Sequence, residues 1–432
     1  MKLKSRDKIL IGMIIAIILS YLTWYNFSAI INFIIEDIEL TPGQVGIIIS
    51  AFQVGYVITV LLTGWLADKI GSRAVILYST LGTAIFSTLF AWLAVDFWSA
   101  LILRLLAGAF CGGIYAPGMS LLANWFPSRE RGKSIGAYIA GLTFSYAASY
   151  FIAPQLAAEF SWRISILMTS LPAFISFLII YKFIEEMPEI KNQQTKTARD
   201  PDKSLDINNI ESEVQPAPDG GFKGPAIITT SYMGHMWELY GFWGWIGPFM
   251  VSAAAAVGYE YTRASIIGGR LAAIIILIGA PAVWLMGKIS DKIGRTKTII
   301  ICSIFSLTVQ LIFGFLHGGS LIIITIAGLW IGFWVISDSA CHSTGLTEMV
   351  HPDIRATSLG IQNALGFMVT AISPAVFGFI LEIHNQGIDN ITFASNWGLS
   401  FLVLGLGAIL APIAAFVLRK VPQSDLMADG NK

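Results

Sequence analysis

The sequence predicts an all-α polytopic membrane protein, with twelve transmembrane helices in two six-helix halves. Three observations carry this. Of the 432 residues, 55% are hydrophobic and only 12% are charged, whereas soluble domains carry about 25% charged residues. Apolar runs of about 20 residues, the length a helix needs to cross roughly 30 Å of hydrocarbon, alternate with short charged clusters. Finally, the second half of the chain repeats motifs of the first.

The first run, near 9–31, follows the basic stretch "MKLKSRDK". Its apolar core is longer than a signal peptide's and no small-residue cleavage site follows, so an uncleaved first span is expected. Runs near 44–66, 75–95, 100–123, 134–157 and 163–183 complete one half; runs near 225–251, 264–286, 298–317, 320–344, 357–381 and 398–419 form the other. Only helices satisfy their own backbone in lipid with their sides exposed to it, so all twelve are expected to be helical. The expected organisation is a first half over 1–183, a linker over 184–224, a second half over 225–419 and a tail over 420–432. Low hydrophobicity, Pro, Gly and mixed charge mark the linker as flexible.

Charge sets the expected orientation. With both termini inside, cytoplasmic segments hold 23 of the 27 Lys and Arg, the asymmetry of the positive-inside rule. The expected location is the inner, cytoplasmic membrane, with both termini cytoplasmic. No basic tract suggests a nucleic-acid partner, and none is expected. Cys111, Cys302 and Cys341 fall in apolar runs without metal-like spacing, so they are expected to be small buried hydrophobes and no metal is expected.

The repeat is specific. "GWLADKIGSR" from Gly64 to Arg73 follows the second span and "GKISDKIGRTK" from Gly287 follows the eighth, matching at an offset of 223. "RGKSIG" from Arg131 and "RATSLG" from Arg355 match at 224. Two matches at nearly one offset indicate a duplicated unit, and parallel six-helix halves are a transporter architecture.

The first of these loops resembles the signature between helices 2 and 3 of the major facilitator superfamily, with its weaker copy between helices 8 and 9. "WFPSRERGKSIG" resembles the family's helix 4–5 junction, and "RLLAG" from Arg104 its helix 4 pattern. The resemblance covers nearly the whole chain. It implies a secondary transporter working by alternating access, in which Asp68, supported by Gly64, Gly71, Arg73, Arg131 and, in the second copy, Asp291, latches the cytoplasmic side closed. A carboxylate there can face a basic side chain or the positive N-terminal end of a helix.

Within the spans, "GHMWELYGFWGW" from Gly234 puts two titratable groups in a helix. Glu238 lies about 13 residues beyond Pro225, roughly 20 Å at 1.5 Å per residue. A carboxylate at mid-membrane costs about 2.5–3.5 kcal/mol on insertion scales, so it faces a cavity or a partner. Glu238 is expected to carry a coupled proton, His235 to tune or relay it, and Asp338, paired with His342 at i, i+4, to be a second station. Arg270, roughly 10 Å below the outer end of its helix, is expected to hold an anionic solute in its planar fork of donors and to pair with Glu238 when empty. Gln53, Tyr56, Tyr146, Gln362 and Asn363 are weaker candidates for the solute site; Arg104 is expected to be structural.

The expected function is proton-coupled symport of a small anionic metabolite or inorganic anion. Its expected partners are the solute, the proton and the bilayer, and the expected assembly is a monomer. No Walker motif or soluble domain is present, so no cofactor is expected. No convincing nucleophile–base set is present either, so no enzyme is expected. Two alternatives remain: a drug or metabolite efflux antiporter, since the loop signature is common there, and a nitrate or nitrite porter. The latter would need an arginine on the second span, absent between Gln44 and Trp65. A sensor that transports nothing is a third, remoter class.

Overall fold

The computed structural model describes residues 5–126, 128–187, 221–351, 354–387 and 390–430, and among them all regular structure is helical. Two sets of six long helices form. The first set is α1 (Ser5–Ala29), α2 (Pro42–Ile70), α3 (Ser72–Leu93), α4 (Phe97–Cys111 and Tyr115–Trp125), α5 (Ser128–Glu159) and α6 (Trp162–Ser170 and Pro172–Phe183). The second is α7 (Lys223–Ala256), α8 (Tyr261–Leu277 and Gly279–Ile293), α9 (Arg295–Phe313), α10 (Leu321–Ser337 and Ser339–Met349), α11 (Arg355–Thr370 and Ser373–His384) and α12 (Gly398–Ala408 and Leu410–Leu418).

Eleven of these are long and apolar enough to span a bilayer. The twelfth, α7, has 34 residues but carries Gly, Ser, Thr, His and Glu among its aromatics. It is buried along nearly its whole length, so it meets protein rather than lipid and needs no apolar surface. Exposed Ile, Leu, Phe and Trp side chains cover the other helices, as a lipid-facing surface requires. The three cysteines are buried and free, as expected of small hydrophobes.

The duplication is visible in the backbone. Gly71 and Gly294, equivalent positions of the two loop motifs, adopt φ of 93° and 100°, left-handed values that only glycine takes without strain. Both α4 and α10 are interrupted at matching places, around Gly112–Ile114 and at Asp338. The first break is made by two glycines, the second by "SDS".

Successive helices run antiparallel, so the chain ends and both Gly71-type turns share one face, the termini face. The Ala29–Pro42 and Ala256–Tyr261 connections lie at the other, the far face. The halves pack against each other through α2 with α11, α5 with α8, and α1 with α7. That packing is close over the far-side pieces Ser373–His384 and Tyr261–Leu277 and sparse over their termini-side pieces. Beyond α12, a 3₁₀ stretch Pro422–Gly430 packs Met427 against Ile228, Leu346 and Met349, and the Ala428 N–H donates to Glu348 Oε2 at 3.0 Å. Most of the expected linker lies outside the described residues, and α7 starts just inside its expected end.

Candidate functional site

Four titratable side chains gather inside the second half, where α7 crosses α9 and α10. All are buried: His235 and Asp338 are 2% exposed, Glu238 4% and His342 0%. The break in α10 turns Asp338 toward α7, and its Oδ1 lies 2.8 Å from His235 Nδ1. Ser303 on α9 donates to its other oxygen at 3.3 Å. His235 Nε2 meets the Ser339 hydroxyl at 2.7 Å. His342 Nδ1 lies 3.0 Å from the Asp338 carbonyl oxygen, and its Nε2 lies 3.0 Å from the Ser231 hydroxyl. Glu238 stands apart, with Oε1 accepting from Ser306 of α9 at 2.6 Å. His235 therefore serves Asp338 rather than Glu238, although the sequence places it one turn from Glu238.

Among the described residues, His235, Asp338 and His342 are the one group with metal-like spacing, their ligand atoms lying within 4.8 Å of one another. Those atoms are engaged with each other and with serines at hydrogen-bond distance. The cluster is thus a chain of groups that both donate and accept, the requirement for passing a proton.

In the first half, Arg104 is also buried, at 4% exposure. Its Nη1 and Nη2 donate to the carbonyls of Thr23 and Trp24 on α1, each at 2.8 Å. Its guanidinium lies over the Phe52 ring, 4.3 Å from the centroid. It ties α1 to α4 and keeps a permanent positive charge within the core.

Arg270 is not brought to Glu238. It is exposed, donates to Gln155 of α5 at 3.1 Å and lies over Phe151. The preceding glycines explain this: Gly268 presses against Val251 of α7 and Gly269 against Tyr150 and Pro154 of α5. With both occupying the packed faces, the next residue turns outward.

Gln53 and Tyr56 on α2 and Tyr146 on α5 are buried at the junction of the halves, where Tyr56 meets Phe367 of α11 with ring centroids 4.8 Å apart. Gln362 is buried and donates to the His342 carbonyl at 3.4 Å, while Asn363 accepts from Tyr232 at 3.4 Å. The structure adds Tyr21, Trp24 and Tyr25 of α1 and Tyr240 and Trp243 of α7, all buried around Tyr146. Their signal was the aromatic spacing within "SYLTWYNF" and "LYGFWGW".

At the termini face, Arg73 is held within its own half, its N–H on Glu186 at 2.7 Å and its Nε on the Ile184 carbonyl at 2.5 Å. Asp291 pairs with Arg295 at 2.5 Å, and Arg295 with Glu348 at 2.9 Å. Gly64, Asp68 and Arg131 lie on helical backbone; the side-chain placements of Asp68 and Arg131 fall outside the described residues.

The far face is sealed between the halves. Glu382, at the end of α11, accepts from the Thr41 hydroxyl and the Gly43 N–H, both at 2.8 Å. An acid of one half thus caps the N-terminus of α2 in the other, where the helix dipole favours negative charge. Nearby, Asn32 donates to Ser265, Tyr261 donates to the Asn32 carbonyl, and Asn390 donates to Glu36. Deeper, Tyr150 donates to the Trp243 carbonyl at 2.6 Å. Gly46 lets α2 approach α11 so closely that a Cβ there would stand 2.5 Å from the Pro374 carbonyl oxygen.

Two duplicated halves meeting around buried polar groups, sealed at one face, are a carrier's geometry. The profile of the Major Facilitator Superfamily matches residues 13–349. The chain belongs to the major facilitator superfamily. Among its relatives, the hexuronate transporter of Bacillus subtilis is 24% identical, with 95% of this chain and 94% of that protein covered. The cis,cis-muconate transport protein of Acinetobacter baylyi is 23% identical, covering 91% and 90%. A crystal structure of a D-xylose-proton symporter has the same fold, with a TM-score of 0.76 at 16% identity over 98% of this chain and 99% of that one. This superfamily member is a multi-pass membrane transporter of small solutes, not an enzyme.

Proposed function

We propose that the chain carries a small anionic solute together with a proton by alternating access, with the termini face in the cytoplasm of the inner membrane. The observation that carries this reading is the pair of membrane-buried carboxylates, Glu238 and Asp338, whose partners are serine hydroxyls and imidazole. A carboxylate neutralised by Arg would stay ionised. Hydroxyls and imidazoles both donate and accept, so these acids can gain or lose a proton without losing their partners. Glu238 is the loading site, and the Asp338–His235 pair, set toward the termini face, relays its proton. The names of the relatives fit an acidic solute, and the symporter of like fold fits coupling to protons.

The first half supplies the positive charge. Arg104 takes the place assigned by sequence to Arg270, because it is buried near the junction whereas Arg270 faces outward. Arg270→Ala is accordingly expected to leave solute affinity within about twofold, the usual range of surface substitutions; a loss of binding measured by calorimetry would return Arg270 to the site.

In alternating access the seal at Glu382 and Gly46 is the closed state of the far face, and closure of the termini face by Asp68 is its counterpart. Uptake by proteoliposomes under an imposed pH gradient, screened over organic and inorganic anions, tests the reading; accumulation of none of them contradicts it. Topology is tested separately by single cysteines at Lys420 and Glu260, probed with a membrane-impermeant maleimide. Labelling of only the Glu260 position from outside is expected, and labelling of both from outside overturns the assigned orientation.

A further inference from the structure

We propose that the solute site is an aromatic box at the junction of the halves, and that it selects a flat, conjugated carboxylate over a saturated one. This rests on the reading of the chain as an anion carrier and narrows its substrate class.

Six side chains from three helices and both halves form the box: Tyr21, Trp24 and Tyr25 of α1, Tyr146 of α5, and Tyr240 and Trp243 of α7. Tyr146 is its hub. Its ring meets Tyr25 edge-on at 4.8 Å, Trp243 edge-on at 5.4 Å and Trp24 at 5.7 Å. Trp24 and Trp243 in turn meet Tyr240 at 6.1 and 5.8 Å. Trp24 stacks on Tyr21 at 5.4 Å and Tyr25 on Tyr150 at 5.8 Å, whereas among the described residues Tyr146 and Trp243 have only tilted or edge-on ring contacts, an arrangement to which a flat ring can still add an offset stack.

The polar atoms of the box point the same way. The indole N–H groups of Trp24 and Trp243 and the hydroxyls of Tyr25 and Tyr146 are buried and make no hydrogen bond of ordinary geometry. Trp24 and Tyr25 face each other, as do Tyr146 and Tyr240, which leaves the Trp243 N–H as the donor of the box with no such neighbour; buried donors are nearly always satisfied, so it marks the place of a missing acceptor. The described side chains of the box include no carboxylate to supply it. A carboxylate solute would, and Arg104, which donates to the Trp24 carbonyl and lies over Phe52, has no acid partner among the described residues.

The box also has a door. Tyr240 and Phe367, 7% and 9% exposed, are the least buried of these rings, and they contact each other at 5.6 Å. Rotation of Tyr240 would admit a solute from the termini side, between the proton site on α7 and the Arg104 wall. Tyr240 and Glu238 are two residues apart on one helix, so loading of the box and protonation of Glu238 share that helix.

Binding of benzoate and of cyclohexanecarboxylate to the purified protein, followed by calorimetry and by tryptophan fluorescence, tests this. The two acids share charge and size and differ in flatness. Benzoate is expected to bind about tenfold more tightly, the combined return of stacking and recovered hydrogen bonds. Trp243→Leu is expected to remove that preference. Tyr146→Phe, which deletes one hydroxyl and keeps the packing, is expected to weaken benzoate by about threefold or more even if the tryptophan variant misfolds. Equal binding of the two acids, binding of neither, or an unchanged preference in a folded Trp243→Leu protein overturns the aromatic box. If a saturated acid then accumulates under a pH gradient, the anion-carrier reading stands without it; if no anion accumulates, both fall.

Discussion

Glu238→Gln is expected to abolish accumulation driven by a pH gradient while leaving exchange of solute across the membrane intact. Gln keeps the shape of the side chain and still accepts from Ser306, which now lies 2.6 Å from Oε1, so the packing of α7 on α9 survives. What is lost is the ability to exist in two charge states. One proton moving down one pH unit releases about 1.4 kcal/mol and supports roughly tenfold accumulation; the variant should reach only equal concentrations on the two sides. Asp338→Asn should behave differently. A relay affects how fast the proton reaches Glu238 and not the free energy it delivers, so the final accumulation should be that of the wild type, approached more slowly. Time courses of uptake in proteoliposomes separate the two cases. A Glu238→Gln protein that still concentrates solute places the loading site elsewhere, with Asp338 the next candidate.

The second large effect is expected at the far-face seal. Gly46→Leu places a branched side chain where even a Cβ would stand 2.5 Å from the Pro374 carbonyl oxygen, so α2 and α11 must separate at that level. Overpacking of this kind costs about 1–3 kcal/mol, which shifts a two-state balance by roughly 5- to 150-fold. The seal is the contact strained, so the balance should move toward the far-open state and transport should fall by a similar factor. Glu382→Gln removes only the charge facing the N-terminus of α2 and should move the balance the same way by less, since such a contact contributes about 0.3–1 kcal/mol. Distances between spin labels on the far ends of α2 and α11 report the shift; unchanged distances in Gly46→Leu would make the seal rigid scaffolding instead of a gate.

Much of this architecture was legible in the sequence, because lipid enforces long apolar helices and the duplicated loop motifs fixed which helices correspond. Gly71 and Gly294 were readable for the same reason: a left-handed turn leaves few residues to choose from. The depth of Glu238 followed from counting along α7. The partner of His235 did not, because the break that turns Asp338 toward it lies within "SDS", which lacks the two glycines that mark the equivalent break in α4. The depth of Arg270 could be counted along its helix but the direction of its side chain could not: Gly268 and Gly269 are small because α7 and α5 press on them, and that register turns Arg270 outward. Arg104 was assigned a structural role, and its bonds to the α1 carbonyls fit one; its burial near the aromatic box emerges only when α1, α2 and α4 are assembled. The box itself is spread over Tyr21, Tyr146 and Trp243, far apart in the chain.

The central claim is that solute and proton move together through Glu238. It is tested most directly by following medium pH in a lightly buffered suspension of de-energised proteoliposomes while an accumulated anion from the uptake screen is added outside. Symport predicts transient alkalinisation of the medium in the wild type, in step with solute uptake, and none in Glu238→Gln despite continued exchange. Solute uptake by the wild type with no change in pH, or with acidification, would contradict it.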